Sequence, residues 1–295
     1  MSSQSPRIYT LEASPWERFW KLLQLTGVAS YEDNCFGIAK GVAYSGLLSL
    51  FPVITTIAAI LVRANAEAVS KTLARFLFEV VPPGSAELVR YQFVVRGQRP
   101  IWLMVGAALL SIWAASGAMM SLMEGFQAAY RLPGGRPFLK QRGVAVFLVF
   151  IGAFPGVGFS FLIVFGSRWE GRLFSWMGIE APGGHLTGWA AVFSVSLRYV
   201  FAFACVVLVT GLIYYFGPNR PVKLKRVWPG AFIATVLWVL ATSGFGWYVR
   251  NLANYNVMYG SIAAVIALLV WMYLLSIIAL FGCEFNAEQE RLIVQ

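Results

Sequence analysis

Charged residues are scarce in this sequence of 295 residues, where Asp, Glu, Lys and Arg together account for 12%. A soluble domain usually contains about 25% of them, because charged side chains cover much of its surface. Hydrophobic residues account for 59% of the chain, against roughly 45–50% in soluble domains. This balance argues against a soluble enzyme, a disordered protein and a secreted disulfide scaffold.

Histidine, cysteine and the common catalytic motifs are also rare or absent. His185 is the single histidine, which excludes a multi-histidine metal site, and three cysteines are too few for a disulfide framework. The sequence has neither a phosphate-binding loop ending in Lys-Ser or Lys-Thr nor a Gly-x-Ser-x-Gly elbow. Metal-dependent RNA hydrolysis would need clustered histidines or carboxylates, and RNA binding would need aromatic residues between the basic ones. The basic loops offer almost only Lys and Arg. We therefore predict no catalytic residue, no metal site, no cofactor and no nucleic-acid partner.

Acidic residues are outnumbered, with 13 Asp and Glu against 23 Lys and Arg and a net charge of +10. In a membrane protein such an excess usually lies in cytoplasmic loops and beside anionic lipids. We therefore expect membrane lipids, anionic ones in particular, as partners. An envelope protein is a further candidate partner, and the sequence does not predict an oligomeric state.

Long uncharged apolar runs dominate what remains. A membrane-crossing helix needs about 20 mostly apolar residues, and six runs are long enough. The predicted spans are 41–62, 100–123, 143–167, 199–219, 227–249 and 259–283. The fold class predicted is an all-α integral membrane protein, a bundle of six transmembrane helices with amphipathic interfacial helices. Residues 1–39 form an N-terminal segment, 40–284 the membrane domain and 285–295 a C-terminal tail.

The loop charges predict the orientation of these spans. Loops 124–142 and 218–226 carry four basic residues each, and short basic loops face the cytoplasm. The segment 63–99 breaks the pattern with six basic residues, but it is 37 residues long. Both termini are therefore predicted to be cytoplasmic. The polar first 39 residues contain no continuous apolar region, so we expect no cleavable signal.

Two amphipathic stripes flank the first span. Ser14 and Pro15 make a helix start, followed by Trp16, Phe19, Trp20 and Leu23 at helical spacing. This helix either lies among lipid headgroups or packs on the cytoplasmic end of the bundle. A second apolar stripe over 69–80 is predicted on the outer side, on the membrane or over the mouth of the bundle.

Two prolines interrupt predicted spans. Pro52 lies halfway along the first span and Pro155 halfway along the third. Because proline frees a backbone carbonyl, the two breaks either mark a cavity, as in transporters with discontinuous helices, or are kinks filled by a neighbouring helix.

The few polar groups near the ends of the spans complete the set of candidate residues. Glu124 and Glu284 end the second and sixth spans, where Arg131, Arg136 and Arg142 are near enough in sequence to pair with them. They are either interfacial anchors and salt bridges or a gate or anionic-headgroup site. Asn254 and Tyr259 lie at the predicted outer mouth, where they cap helices or contact a headgroup. The candidate substrate path or gate is Pro52, Glu124, Arg136, Pro155, Asn254, Tyr259 and Glu284.

Several motifs resemble one known family. In order along the chain, they are AKGVAY at 39–44, SLFP at 49–52, GRPF at 135–138, WPGA at 228–231 and GCEFN at 282–286. Together they resemble the YihY/BrkB family over about residues 16 to 290. Two positions depart from the family pattern, namely Lys40 and the stretch before Arg136. The resemblance implies a six-span bacterial inner-membrane protein with cytoplasmic termini.

Three functional hypotheses follow. The first is a non-enzymatic protein that binds or translocates an anionic lipid or envelope precursor, because the spans are broken, the cytoplasmic loops are basic and no energy-coupling motif occurs. The second is a structural or partner-binding membrane protein that transports nothing. The third is a membrane-tethered ribonuclease, since the family once carried that label.

Overall fold

The computed structural model describes residues 14–63, 101–154, 189–251 and 262–294. Within these ranges the chain forms helices and no strand. The helices are α1 (Pro15–Glu32), α2 (Cys35–Arg63), α3 (Ile101–Ala129), α4 (138–154), α5 (Trp189–Phe216), α6 (Leu224–Asn251) and α7 (Ile262–Val294). The predicted all-α class is confirmed.

Five of these helices are long and apolar enough to cross a membrane. Their apolar windows are Cys35–Ile57, Val105–Ala129, Tyr199–Phe216, Leu224–Val249 and Ala264–Leu292. Each window overlaps one predicted span. The predicted span 143–167 begins within α4, and its second half lies outside the described residues. The protein is therefore a polytopic all-α membrane protein.

The helices extend beyond the predicted spans at several ends. α2 begins at Cys35, before the predicted residue 41, and residues predicted as a C-terminal tail continue α7 to Val294. The predicted spans stop at the nearest charged residue, whereas a helix continues as long as its backbone hydrogen bonds are satisfied. Charged side chains at a helix end are tolerated where they reach water or a partner.

The start of α1 is the one predicted from Ser14 and Pro15. Ser14 Oγ accepts a hydrogen bond from the backbone N–H of Glu17 at 3.3 Å, and Glu17 accepts one from the backbone N–H of Ser14 at 3.0 Å. This reciprocal capping box satisfies two N–H groups that the first helical turn leaves free. Pro15 occupies the first turn, where its missing N–H costs nothing.

The two faces of α1 serve different surroundings. Leu22, Thr26 and Ala29 are buried, and α1 packs against α7 through this side. Trp16 and Trp20 on the predicted stripe are 66% and 50% exposed. One face of α1 therefore packs on the bundle. Within the predicted stripe, the centre of the Phe19 ring lies 6.3 Å from that of Phe285 of α7. The placement of α1 among lipid headgroups stays a prediction.

α7 lies at the centre of the packing, because it contacts α1, α2, α3 and α6. The largest buried cluster lies at one end of the bundle and includes Phe126 of α3, Tyr214 of α5 and Leu280 of α7. We call this end the basic end. It comprises the turn 33–34, the loop 130–137 with the first turn of α4, the loop 217–223 with the first turn of α6, and the last turns of α7.

α6 and α7 meet at this end through two glycines. A Cβ atom on Gly230 would overlap the carbonyl oxygen of Gly282, and one on Gly282 would lie 2.7 Å from the carbonyl oxygen of Gly230. Only glycine at both positions allows the backbones to approach so closely. Tyr214 of α5 adds a hydrogen bond from its hydroxyl to the carbonyl of Ala279 at 2.6 Å. The backbones of α6 and α7 are therefore in direct contact at their crossing, and Tyr214 joins α5 to α7 close to it.

Candidate functional site

Glu284 lies inside the basic end rather than at its surface. Its side chain has no exposed area, and its Oε1 atom lies 3.3 Å from Arg291 Nη1. Its Oε2 atom is buried without a hydrogen-bond partner. An isolated buried carboxylate is very costly, and Arg291 supplies the one cation within ion-pair distance of Glu284 among the described residues.

Arg291 joins three parts of the basic end. Its Nη2 atom donates to the carbonyl of Ala129 at the end of α3 at 2.5 Å and lies 3.9 Å from Asp33 in the α1–α2 turn. Its Nη1 atom contacts both Glu284 and Glu288 of its own helix. Since the last carbonyls of a helix carry partial negative charge, a cation at the end of α3 is stabilising.

Arg136 caps the end of α5. Its Nη2 atom donates to the carbonyls of Phe216 at 3.1 Å and Pro218 at 2.8 Å, and its Nη1 atom donates to Gly217 at 3.0 Å. These are carbonyls that the end of a helix leaves without partners. Burial lowers the pKa of the Arg136 guanidinium below its usual value. The expected pairing of Arg136 with Glu124 or Glu284 is therefore wrong, because the helix end competes successfully for its donors.

Tyr130 lies beneath an ion-pair cluster. The Arg220 guanidinium is 4.8 Å from the centre of the Tyr130 ring and bonds Glu290 at 2.7 Å, and Arg226 bonds the same carboxylate at 2.9 Å. The Tyr130 hydroxyl is buried without a partner. Burial, with smaller contributions from Cys283 and Glu290, raises the pKa of Tyr130 well above its usual value. The phenol is therefore neutral at physiological pH.

Arg131 pairs with the α1–α2 turn. Its Nε atom lies 3.1 Å from Asp33, and its Nη2 atom lies 3.5 Å from Glu32. The hydrogen bond to Asp33 is the main cause that raises the pKa of Arg131. Arg131 has a φ of 50° and so adopts the left-handed conformation. This turn directs the chain from α3 into the loop 130–137.

Asn286 joins α7 to α6. Its Oδ1 atom accepts from the backbone N–H of Gly230 at 2.8 Å, and its Nδ2 atom donates to the carbonyl of Val227 at 3.1 Å. Asn286 is buried with 1% exposure, so both ends of the amide are used in the interior. This contact lies beside the Gly230–Gly282 crossing.

Pro52 contacts the neighbouring helix. Ser111 Oγ of α3 lies 2.6 Å from the Pro52 carbonyl oxygen and 2.7 Å from Thr56 Oγ1. Ser111 therefore joins α3 to α2 beside Pro52, and this contact belongs to the extensive packing of α2 against α3. The carbonyl that proline deprives of its helical partner, in contrast, is that of Leu48, four residues earlier. The choice between a kink and a cavity stays a prediction.

Comparison with known proteins decides the family. The sequence profile of the virulence factor BrkB family matches residues 29–294. The chain belongs to this family. A ribonuclease-like protein, YfkH, of Bacillus subtilis (strain 168) is 31% identical over 83% of this chain and 86% of its own length. No solved structure matches the chain.

Two further relatives carry the name UPF0761 membrane protein. The protein from Azoarcus sp. (strain BH72) is 26% identical over 92% of this chain, which spans 65% of that relative. The protein from Alteromonas mediterranea is 28% identical over 87% of this chain and 83% of its own length. The resemblance to the BrkB family is thus confirmed.

The predicted site residues of this BrkB-family protein do not form one cluster among the described residues. Glu284 and Arg136 both lie at the basic end, but Arg136 contacts the end of α5 and Glu284 contacts Arg291. Glu124 is exposed on α3, and Pro52 lies between α2 and α3. Pro155, Asn254 and Tyr259 lie outside the described residues.

Three contacts of this BrkB-family protein were not predicted. Arg291 lies seven residues, two helical turns, after Glu284, and this spacing on one helix face could have indicated the pair. Asn286 stands within the GCEFN motif, but only the structure shows that it reaches α6. Arg142 was expected to pair with Glu124 or Glu284, and instead it contacts Trp113 of α3.

Proposed function

We propose that this BrkB-family protein binds an anionic lipid at its basic end, which faces the cytoplasm, and moves it across the bacterial inner membrane without enzymatic chemistry. One observation carries the proposal. Lys140, Lys223 and Lys225 are exposed at the basic end, and none has a carboxylate partner among the described residues. Arg131, Arg220 and Arg226, in contrast, pair with carboxylates there.

The position of two of these lysines strengthens the argument. Lys223 and Lys225 lie at the N-terminus of α6, whose first turn contains no acidic residue. The N-terminus of a helix carries partial positive charge, so lysines there lower the stability of the helix. An anion bound at this end would be attracted by both the lysines and the free backbone N–H groups. A phosphate-bearing headgroup meets this requirement.

The exposed face of α1 suggests where the headgroups lie. Trp16 and Trp20 are exposed beside the basic end, and tryptophan is typical of the membrane–water interface. With these rings at headgroup level, the lysines would face the anionic inner leaflet.

The printed name of the Bacillus relative describes that protein as ribonuclease-like. The described part of this chain contains no group of three or more His, Cys, Asp or Glu residues that could hold a metal ion. The lipid proposal requires no such group.

Lipid translocation in proteoliposomes tests the proposal. Purified protein is reconstituted with headgroup-labelled phosphatidylglycerol or, separately, headgroup-labelled phosphatidylcholine, and the loss of label accessible in the outer leaflet is followed. We expect faster loss of the anionic label than in protein-free vesicles. If the anionic label were lost at the same rate with and without the protein, the proposal would be overturned.

A pair of variants tests the role of the basic end. The double variant Lys223→Gln, Lys225→Gln is expected to slow movement of the anionic label, because the headgroup loses both cations. Lys40→Gln removes an exposed lysine from α2 and serves as the control. Equal slowing in both would show that general surface charge, and not the α6 N-terminus, attracts the lipid.

A further inference from the structure

Arg142 of α4 places a charge beside the apolar part of α3. Its guanidinium carbon lies 3.9 Å from the centre of the Trp113 ring. Its Nη2 atom donates to the Trp113 carbonyl at 2.9 Å, and its Nη1 atom donates to the Met120 sulfur at 3.1 Å. All three contacts lie on α3, so the arginine is directed along the span and not towards the carboxylates at its end.

The depth of this guanidinium follows from the residues that it contacts. Gly117 is the central residue of the apolar window Val105–Ala129, and a Cβ atom there would lie 4.0 Å from Arg142 Nη1. Trp113 is about 16 Å from Glu124 along the helix axis, at about 1.5 Å per residue. The hydrocarbon core is about 30 Å thick, so the guanidinium lies near its middle.

A cation at this depth is costly, and ionisable groups inside membranes are therefore rare and usually functional. Among the described residues, no carboxylate lies within ion-pair distance of Arg142. Its Nε atom is buried without a hydrogen-bond partner. The stacking on Trp113 and the single carbonyl bond offset part of the cost, but they leave the positive charge without a counter-ion.

The guanidinium can be approached from the lipid side. Trp113 is 61% exposed on the outside of the bundle, and the guanidinium lies on the face of its ring. The Met120 sulfur is a weak acceptor, so a phosphate oxygen could displace it readily.

We propose that Arg142 binds the phosphate of an anionic lipid at mid-membrane depth, at the lipid-facing side of α3 and α4, while the lipid passes between leaflets. The proposal rests on the proposed function and adds the place where the headgroup is held. Arginine suits this role because its planar fork of N–H donors matches a phosphate, whereas a lysine offers only a point charge. Free inorganic phosphate has the same chemistry, and the experiment separates the two sources.

The first measurement counts bound lipid. Native mass spectrometry of the full chain in detergent is used to compare retained phosphatidylglycerol in the wild type and in Arg142→Met, whose side chain has similar length and no charge. We expect the variant to retain one phosphatidylglycerol molecule fewer and to retain phosphatidylcholine equally. Equal retention of phosphatidylglycerol would overturn the proposal. Displacement of the lipid by millimolar inorganic phosphate would assign the site to free phosphate and overturn the lipid assignment.

The second measurement follows movement in the proteoliposomes described above. Arg142→Met is expected to slow movement of labelled phosphatidylglycerol about tenfold, and Arg142→Lys, which keeps the charge but not the fork, by a smaller factor. If the wild type moves labelled phosphatidylglycerol and Arg142→Met moves it at the same rate, the Arg142 site is overturned and the proposed function stands. If the wild type moves no lipid, the proposed function fails, and the lipid count alone decides on the site.

A structural role for Arg142 predicts a different pattern. If the arginine only joins α4 to α3, Arg142→Met and Arg142→Lys would lower the thermal stability of the protein, with the same loss of both labelled lipids. Lys40→Met removes an exposed cation from α2, to which no lipid-binding role is assigned, and controls for the loss of one cation. Arg142→Lys supports the binding role if it unfolds at the same temperature as the wild type but moves the anionic lipid more slowly and phosphatidylcholine at the same rate. This test remains decisive even if Arg142→Met fails to fold.

Discussion

The backbone N–H of Gly230 donates a hydrogen bond of 2.8 Å to the Asn286 side chain. The side-chain amide of Asn286 also donates a hydrogen bond to the carbonyl of Val227 at 3.1 Å. One side chain of α7 thus bonds two backbone groups of α6. Both helices are close enough for this because Gly230 and Gly282 lie at their crossing. The contact therefore depends on side-chain chemistry and on two glycines.

Asn286→Ala is expected to lower the stability of the protein. The substitution removes both hydrogen bonds that join α7 to α6 at this point, and one such bond contributes about 0.5–1.5 kcal/mol. Thermal unfolding in detergent measures the change. Asn219→Ala is the matched control, because Asn219 is exposed and its single hydrogen bond, to Gly134, is 3.5 Å long. Equal midpoints for the two variants would contradict the assigned role of Asn286.

Arg291→Met is expected to destabilise the protein strongly, and Glu284→Gln is expected to restore part of the loss. Removing the arginine leaves the buried Glu284 carboxyl group without its ion-pair partner, which costs about 3–5 kcal/mol where the group is ionised and less where it carries a proton. Glutamine removes that charge, so the double variant should be more stable than Arg291→Met alone. Unfolding midpoints of the single and double variants provide the test. A double variant less stable than Arg291→Met would show that Glu284 contributes in another way.

Arg136→Ala is expected to loosen the end of α5. The arginine donates to the carbonyls of Phe216, Gly217 and Pro218, and a cation at a helix C-terminus contributes about 0.3–1 kcal/mol, up to about 2 when partly buried. Hydrogen exchange followed by mass spectrometry should show faster exchange in the last turn of α5. Lys140→Ala removes an exposed cation from the same end and should leave this turn unchanged. Unchanged exchange in Arg136→Ala would exclude a capping role.

Tyr130→Phe is expected to have little effect at neutral pH and to stabilise the protein at alkaline pH. The hydroxyl has no partner, so its removal costs little at pH 7. Burial raises the pKa of Tyr130 in the folded state above that in the unfolded state, which is about 10. As the pH rises through that value, the unfolded chain ionises first and the wild type loses stability. Phenylalanine avoids this loss.

Unfolding midpoints between pH 7 and pH 11 test the prediction for Tyr130. The difference between the variant and the wild type should grow above pH 10 in favour of the variant. Tyr31→Phe is the control, since Tyr31 is 78% exposed, and it should follow the wild type across the range. A constant difference for Tyr130→Phe would show that the folded phenol ionises as readily as the unfolded one.

Local sequence signals predicted the features that depend on neighbouring residues. The start of α1 follows from Ser14 and Pro15, because a capping box involves residues three positions apart. The apolar windows follow from runs of uncharged residues, because the hydrocarbon core selects them directly. These features require no knowledge of how the helices are arranged.

The charged contacts could not be predicted in the same way. A lone charge predicts the end of a span before Glu284, but Glu284 is buried and faces Arg291 two turns later on the same helix. Arg136 and Arg142 were expected to pair with carboxylates. Their actual partners, the end of α5 and the Trp113 ring, depend on helix rotation and on the path of the loop 130–137. The sequence alone specifies neither the rotation of the helices nor the path of this loop.

The contact of Gly230 with Gly282 has a mechanical consequence. Two backbones that touch without intervening side chains, joined beside the contact by Asn286, resist sliding and separation at that point but still permit tilting. The crossing is thus a pivot point between α6 and α7, and it lies closer to the basic end than to the opposite end of these helices. A small change of angle at the basic end would be magnified along their length, so the largest displacement between these helices would occur at the opposite end of the bundle.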